Sequence, residues 1–290
     1  MPRLYFYIEA GFFIFKNNKV VFFMEKDKEA RNRAHMPEGT SSIISCRSLQ
    51  NAHKRLADFL EKGKSVLDIG CGTGAITAGI AEEVAPGQVI GIDENQQFME
   101  TANDQFAAIE NLRFEAKDIY KLDYENQFDV VTAARVLQWL SEPETALKKM
   151  VRATKTGGNV VVLDYNHEKV IWNPAPPESM QHFYRAFLKW RAEAGMDNAI
   201  ADHLADMFLA NGLTDVEISV QHETVSKSDP DFQQKIDIWA KVADSRGHQL
   251  VKDGYVSEKE RALAVKEYRE WIQTTAESME MYLLAVSGVR

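Results

Sequence analysis

The sequence contains few cysteines and no excess of positive charge, and each shortage argues against a class of protein. Cys46 and Cys71 are the two cysteines among 290 residues, and neither belongs to a zinc-ligand pattern. We therefore expect no metal and no disulfide framework, which fits a reducing cytoplasm. The net charge of −9 disfavours a nucleic-acid partner, because phosphate backbones bind basic surfaces.

Long hydrophobic runs are also missing. The stretch LYFYIEAGFFIF at 4–15 is too short to span a bilayer and contains Glu9, so we expect no membrane partner. No small-residue cleavage site follows, which disfavours a signal peptide. Two interpretations of the N-terminal extension 1–23 stay open: a hairpin that turns at Asn17–Asn18, or an addition before a natural start at Met24. We expect it to be dispensable.

Apolar strands alternate with helical segments between residues 65 and 165. The predicted strands lie at 65–70, 88–93, 111–118, 128–134 and 157–165. The predicted helices between them lie at 74–84, 95–109 and 144–154. This alternation predicts an α/β fold with a mostly parallel sheet and helices on both faces. Ligands of such sheets bind beyond the carboxyl ends of the strands.

The segments around this core complete one predicted domain over 24–290. A helix is predicted over 48–63, before the first strand. After the fifth strand, 166–198 carries a proline cluster and a helix rich in aromatic and basic residues, and we expect it to form a cap over a substrate. The remaining predicted elements are a helix at 200–212, a strand at 215–225, a helical insertion at about 226–277 and a strand at 278–289.

The stretch VLDIGCGTGAIT at 66–77 places glycines where the first strand meets its helix. Gly70, Gly72 and Ala75 satisfy the G-x-G-x-x-G/A spacing of dinucleotide sites, so an oxidoreductase remains an alternative at this point. Asp68 lies two residues before the first glycine, where its charge would repel a pyrophosphate. The same charge favours a ligand that carries ammonium and sulfonium groups.

At these residues the chain resembles the class I S-adenosylmethionine-dependent methyltransferases, whose signature matches DIGCGTG at 68–74. GIDENQQFMETA at 91–102 and EAKDIYKLD at 115–123 resemble the next two segments of that family. The stretch 128–165 resembles the ubiquinone-biosynthesis-like branch, and Gln138 with Trp139 is closer to relatives of trans-aconitate methyltransferase. The resemblance covers roughly residues 65 to 165.

The resemblance implies a Rossmann-like, doubly wound fold with a seven-stranded sheet, an antiparallel final strand and S-adenosyl-L-methionine as cofactor. It implies that Asp93 binds the ribose hydroxyls, that Asp118 holds the adenine amino group and that Ile119 packs on the ring. The full set of expected cofactor-binding residues is Asp68, Gly70, Cys71, Gly72, Thr73, Gly74, Asp93, Glu94, Asp118, Ile119, Ala134 and Arg135.

The expected activity is in-line transfer of a methyl group to a small-molecule acceptor, by a cytoplasmic monomer or homodimer. A non-catalytic module that keeps the cofactor pocket is a further alternative. Tyr165 ends strand five and His167 follows it at the carboxyl edge, and these two are the candidate catalytic residues. The candidate substrate contacts are Trp139, Trp172, Tyr184, Arg185, Trp190 and Arg191.

Overall fold

An eight-stranded sheet organises the computed structural model, which describes residues 27–35 and 47–290. The strands are β1 Val66–Ile69, β2 Val89–Asp93, β3 Leu112–Ala116, β4 Phe128–Ala134, β5 Thr154–Asn173, β6 Thr214–Val220, β7 Glu223–Ser226 and β8 Ser278–Val289. Their order is β3-β2-β1-β4-β5-β8-β6, with β7 also paired to β8. Strands β1 to β5 are parallel, and β8 is antiparallel to β5, β6 and β7. The predicted Rossmann-like fold with an antiparallel final strand is confirmed.

Helices cover both faces of this sheet. They are α1 27–34, α2 Leu49–Ala52, α3 Ala75–Val84, α4 Gln96–Gln105, α5 Pro143–Ala153, α6 Glu178–Glu193, α7 Ile200–Ala210, α8 Phe232–Ile236, α9 Ile238–Ser245, α10 Gly247–Lys252 and α11 Glu258–Thr274. Three short 3₁₀ turns lie at Lys54–Phe59, Ile119–Lys121 and Leu137–Trp139. No helix in these described ranges is long and apolar enough to cross a membrane.

Alternating side chains of the central strands build a core on each face. Val66 packs in one cluster with residues of α3, whereas Leu67 packs in another with residues of α5 and α7. Neighbouring residues of a strand point to opposite faces, so β1 is buried on both sides. This explains its continuous apolar sequence and fixes the carboxyl ends of β1 to β5 along one edge.

The predicted helix over 48–63 is wrong in its length. The chain leaves α2 at His53, whose backbone (φ −151°, ψ 53°) is not helical. The imidazole turns inward, and its Nε2 lies 2.9 Å from the Thr132 hydroxyl of β4. Burial of this polar ring against the sheet therefore breaks the helix, and a 3₁₀ turn follows.

Two strand predictions also need correction. Strand β5 runs past the predicted end at residue 165, because β8 pairs with it as far as Asn173. The first residues of 166–198 therefore extend the sheet. The predicted strand at 215–225 is two strands, β6 and β7, which both pair with β8, and this gives eight strands where seven were expected.

A second layer of helices packs against Leu163 and Tyr165 of β5 and against residues of β8. We call α6 together with α8 to α11 the cap. Its core includes the fully buried rings of Trp190, Trp239 and Tyr268. The cap thus combines the helix of 166–198 with the later helical insertion. The expectations for residues 1–23 and for Cys46 concern positions outside the described residues.

Candidate active site

A cavity of about 1210 Å³ lies along the carboxyl edge of the sheet. One end is lined by the glycine turn after β1 and by residues after β2 and β3. The other end is lined by Tyr165 and His167 within β5, by β8 and by helices of the cap. Helix α1 contributes a further wall. Of the expected cofactor-binding residues, Gly74 alone is not among the lining residues of this cavity.

The glycine turn brings backbone close to this cavity. Gly70 and Gly72 have φ values of 67° and 55°, a left-handed conformation that glycine adopts without strain. A Cβ on Gly70 would lie 2.4 Å from a methyl group of Val136, so a larger residue does not fit. Gly74 (φ 78°) serves packing, since its Cβ would lie 2.5 Å from the ring of Phe114. The turn thus leaves an open cradle for a ligand.

Asp68 is buried in β1 beside the turn and also lines the cavity. The hydroxyl of Thr77 donates a 2.7 Å hydrogen bond to its carboxylate. Burial raises the pKa of Asp68 to about 7, and the nearby charge of Asp93 acts in the same direction. A positively charged ligand group near this carboxylate would stabilise its ionised form.

Asp93 ends β2 and joins two loops of the site. Its carboxylate accepts hydrogen bonds from the backbone N–H of Gly72, at 3.1 Å, and of Asn95, at 3.0 Å. Burial raises its pKa, and these N–H groups oppose that shift. The Asn95 side chain caps α4. Asp93 therefore holds the glycine turn and the start of α4 at a fixed separation.

Asp118 and Ile119 follow β3 at the same edge. The Asp118 carboxylate accepts from the backbone N–H of Tyr120 at 2.9 Å. Arg31 of α1 donates to Asp118 at 3.1 Å and to Glu94 at 3.0 Å, and its guanidinium lies 5.2 Å from the Tyr120 ring centroid. Helix α1 therefore lies across the acids expected at the adenine end.

Arg135 and Tyr165 meet a residue that sequence reasoning missed. Arg135 (φ 63°) is buried; its Nε lies 3.0 Å from the Tyr165 hydroxyl and its Nη1 donates to the Ala52 carbonyl. Glu223 of β7 accepts from Arg135 at 2.5 Å and from the Tyr165 hydroxyl at 2.9 Å. No sequence motif marked Glu223, because pairing of β7 with β8 brings it here.

His167 lies in a buried hydrogen-bonded network. Its Nε2 lies 2.6 Å from Oε1 of Gln138, and its backbone N–H donates to the Asn198 carbonyl at 2.7 Å. Arg191 donates hydrogen bonds to other atoms of the same two residues, the Gln138 carbonyl and the Asn198 side-chain oxygen, each at 2.8 Å. Burial lowers the pKa of His167 well below its ordinary value, and Arg191 adds to the shift.

The candidate substrate contacts divide into two groups. Trp139 lines the cavity, whereas Trp172, Tyr184, Arg185, Trp190 and Arg191 are not among its lining residues. Tyr184, Trp190 and Arg191 are buried inside the cap, and exposed Arg185 pairs with Glu178. Sequence reasoning missed the cap and β8 residues that do line the cavity, which are Phe187, Ile238, Trp239, Val242, Arg246 and Met281.

Comparisons with known proteins agree with this geometry. A family profile described as "Methyltransferase domain" matches residues 60–194. The demethylmenaquinone methyltransferase of Geobacillus sp. (strain WCH70) is 30% identical over 180 residues, which cover 55% of this chain and 74% of that protein. An uncharacterized methyltransferase of Schizosaccharomyces pombe is 36% identical over 111 residues, which cover 35% of this chain and 40% of that protein.

A solved structure shares the fold at low identity. It is phosphoethanolamine N-methyltransferase 2 of Haemonchus contortus, in complex with phosphomonomethylethanolamine and S-adenosylhomocysteine. The TM-score is 0.52 at 18% identity, and the match covers 81% of this chain and 51% of that chain. This solved structure shows the shared fold. The family profile and the Geobacillus relative, together with the glycine turn and the acids after β2 and β3, assign the family and with it the cofactor. The chain belongs to the class I S-adenosylmethionine-dependent methyltransferases, and its cofactor is S-adenosylmethionine.

Proposed function

We propose that the chain transfers a methyl group to a small-molecule acceptor held between the carboxyl edge of the sheet and the cap. The observation that carries this proposal is one cavity that runs from the glycine turn to Phe187 of α6 and Trp239 of α9. Its volume of about 1210 Å³ exceeds the roughly 300–1,000 Å³ typical of a site for one small molecule. This supports two ligands side by side, as direct methyl transfer requires.

The residues of the glycine end fit the cofactor. We propose that Gly70 to Gly72 receive its amino-acid part beside Asp68, that Asp93 binds the ribose and that Asp118 with Ile119 contacts the adenine. Bound S-adenosylmethionine supplies a methyl group activated by the positive charge of its sulfur. The work of the chain is therefore alignment, exclusion of water and removal of a proton from the acceptor where one must leave.

We propose His167 as the group that accepts this proton. Gln138 Oε1 accepts from Nε2–H, and the Gln138 amide is oriented by its bond to the Arg135 carbonyl. This pairing leaves the lone pair on Nδ1, an atom with no hydrogen-bond partner among the described residues. The lowered pKa keeps the His167 imidazole neutral at pH 7, so its Nδ1 lone pair is available. It also makes the imidazole a weak base, which suits an acceptor proton that becomes acidic as the methyl group is transferred.

Tyr165 takes a different role in this proposal. Its hydroxyl donates to Glu223 and accepts from Arg135, and burial raises its pKa. A hydroxyl engaged in this way is poorly suited to removing a proton. We therefore assign Tyr165 to positioning: its ring lies 5.2 Å from the His167 ring, centroid to centroid, and supports that side chain.

The test is methyl transfer from tritium-labelled S-adenosylmethionine to compounds of a metabolite extract. We expect label in small molecules, and His167→Gln to lower the rate about 100-fold or more while S-adenosylhomocysteine affinity stays unchanged. His203→Gln alters an exposed histidine of α7 and serves as the control. Label confined to protein or nucleic acid would overturn the small-molecule acceptor, and a fully active His167→Gln would remove the base.

The acidic chain and its scarce cysteines support a cytoplasmic enzyme without a nucleic-acid partner. We extend the proposal to a monomer or homodimer and to a single domain over 24–290. Light scattering of the purified chain tests the first point, and a higher oligomer would contradict it. Co-purification with RNA or DNA that resists nuclease treatment would contradict the absence of a nucleic-acid partner.

A further inference from the structure

The carboxylates that line the cavity are confined to one end, whereas cationic side chains line both ends. The acidic lining residues among those described all belong to its glycine end or to α1, and they are Asp27, Asp68, Asp93, Glu94 and Asp118. In the described structure, the cap end contributes no carboxylate to the lining, although the chain as a whole carries nine excess negative charges. It contributes the guanidinium of Arg246. The cap end is therefore a positive region in an acidic protein.

Arg246 has hydrogen-bonding capacity beyond its contacts with the described residues. Its Nη1 donates to the carbonyls of Arg33, at 2.6 Å, and His35, at 3.3 Å, and its Nη2 donates to that of Ala34 at 3.1 Å. An arginine has five N–H donors, so two remain. Within the described ranges no carboxylate lies within ion-pair distance of Arg246, which is 6% exposed.

A second buried cation strengthens the positive potential there. Arg191 is fully buried, and its Nη1 has no partner in the described part of the chain. The guanidinium groups of Arg191 and Arg246 lie 4.4 and 4.2 Å from the ring centroid of Trp139. Burial and repulsion from Arg191 lower the pKa of Arg246 to about 9, so it remains charged at pH 7. The carboxylates of Asp164 and Asp197 offset part of the charge of Arg191. Arg246 has no such partner among the described residues, and a desolvated cation without a counterion is costly, so a bound anion would offset that cost.

The remaining walls of the cap end are apolar. They are formed by Phe187, Ile238, Trp239, Val242 and Met281. We propose that the acceptor is an anion with an apolar body, a carboxylate or another acid of like charge, and that Arg246 attracts its acidic group. This inference rests on the proposed function, since it concerns the acceptor end of the same cavity.

The test uses two probes of equal shape, 2-naphthoate and the uncharged 2-naphthamide. Each is titrated calorimetrically into the full chain, with and without saturating S-adenosylhomocysteine. We expect 2-naphthoate to bind about tenfold more tightly, as a charge-assisted hydrogen bond implies. Equal binding of the two probes, or no binding of 2-naphthoate, would overturn the proposal. S-adenosylhomocysteine binding, measured in the same titrations, reports on the cofactor site, and failure of the proposed function is seen separately as an absence of label in small molecules of the extract.

Two substitutions separate the charge of Arg246 from its bonds to α1. Arg246→Gln keeps a donor for the carbonyls and loses the charge, so the preference for 2-naphthoate should disappear. Arg246→Lys keeps the charge and should retain most of the preference for 2-naphthoate. Arg113→Gln, at an exposed arginine of β3, is the control for net charge. An unchanged preference in Arg246→Gln would overturn the proposal. A tenfold loss of S-adenosylhomocysteine affinity in that variant would instead assign Arg246 to the cofactor carboxylate.

Discussion

Arg31 of α1 forms an ion pair with Asp118, at a distance of 3.1 Å from Nη2 to the carboxylate. The same guanidinium pairs with Glu94 at 3.0 Å and with Asp27 at 2.8 Å. Asp118 is the residue proposed to bind the adenine amino group. A helix that precedes the sheet in the sequence thus supplies a cation to the carboxylate that is proposed to bind the adenine.

We predict that Arg31→Ala tightens cofactor binding. Removing Arg31 frees Asp118 and Glu94 from partly exposed ion pairs, each worth about 0–1 kcal/mol, so the gain should be about threefold to tenfold. Titration calorimetry with S-adenosylhomocysteine measures it, and Arg113→Ala is the matched control on the exposed face of β3. A weaker affinity would show that Arg31 covers the bound cofactor and does not compete with it.

Asp93→Asn should weaken the cofactor about tenfold or more, because a charged acceptor for the ribose hydroxyls is lost. The amide oxygen still accepts one of the two backbone N–H bonds, from Gly72 or Asn95, so the melting temperature should change little. The comparison variant is Asp104→Asn at an exposed position of α4. If calorimetry of the wild type detects binding of NAD but no binding of S-adenosylmethionine, the assignment of this site is wrong.

Cofactor affinity should depend on pH through Asp68. Its pKa is raised to about 7, so below pH 7 the free protein holds a proton that a cationic ligand displaces. Affinity for S-adenosylmethionine should therefore rise between pH 5.5 and 7.5, by up to about tenfold per unit. Calorimetry across this range measures the slope, and Asp68→Asn should flatten it. A slope that persists in Asp68→Asn would assign the proton to another group.

The sequence was a better guide to the sheet than to the cavity. The mostly apolar runs 128–134 and 278–289 agree with β4 and β8 to the residue, because strands largely buried in a sheet are rich in apolar residues. Cap contacts such as Arg246 and Trp239 lie in a polar helical segment, where no local pattern separates a cavity-facing residue from a solvated one. Glu223 was missed for the same reason, since long-range pairing with β8 creates its role.

Glu223→Gln should destabilise the protein near pH 7. Burial raises the pKa of Glu223, but the charge of Arg135 outweighs it and holds the pKa below its ordinary value. The stabilising contribution is therefore present above the unfolded pKa and is lost as pH falls. Because the Glu223 side chain is partly exposed, we expect a loss of about 1–2 kcal/mol. Urea unfolding at pH 7 and pH 4 measures it; an equal loss at both pH values would contradict the ion-pair explanation.

Asp164 should make the free energy of unfolding fall as pH rises. Its carboxylate is fully buried in β5 and accepts from the backbone N–H of Gln138 and from its neighbour Tyr165. Burial raises the pKa of Asp164 to about 7, from 3.8. The folded state therefore binds more protons than the unfolded state between these values. The contribution is complete below the unfolded pKa and is lost as pH rises through 7, at up to about 1.4 kcal/mol per unit.

Asp164→Asn cannot ionise and should remove this part of the pH dependence. Urea unfolding at pH 5, 6, 7 and 8 gives the free energy of unfolding of the wild type and of Asp164→Asn. The value for the variant should rise relative to that of the wild type as pH rises. The amide loses one acceptor for the two backbone N–H groups, so the variant can be less stable at pH 5; the direction of change with pH is the test. Asp104→Asn on α4 should follow the wild type. If the free energies of unfolding of the wild type and of Asp164→Asn differ by the same amount from pH 5 to pH 8, Asp164 does not titrate in this range.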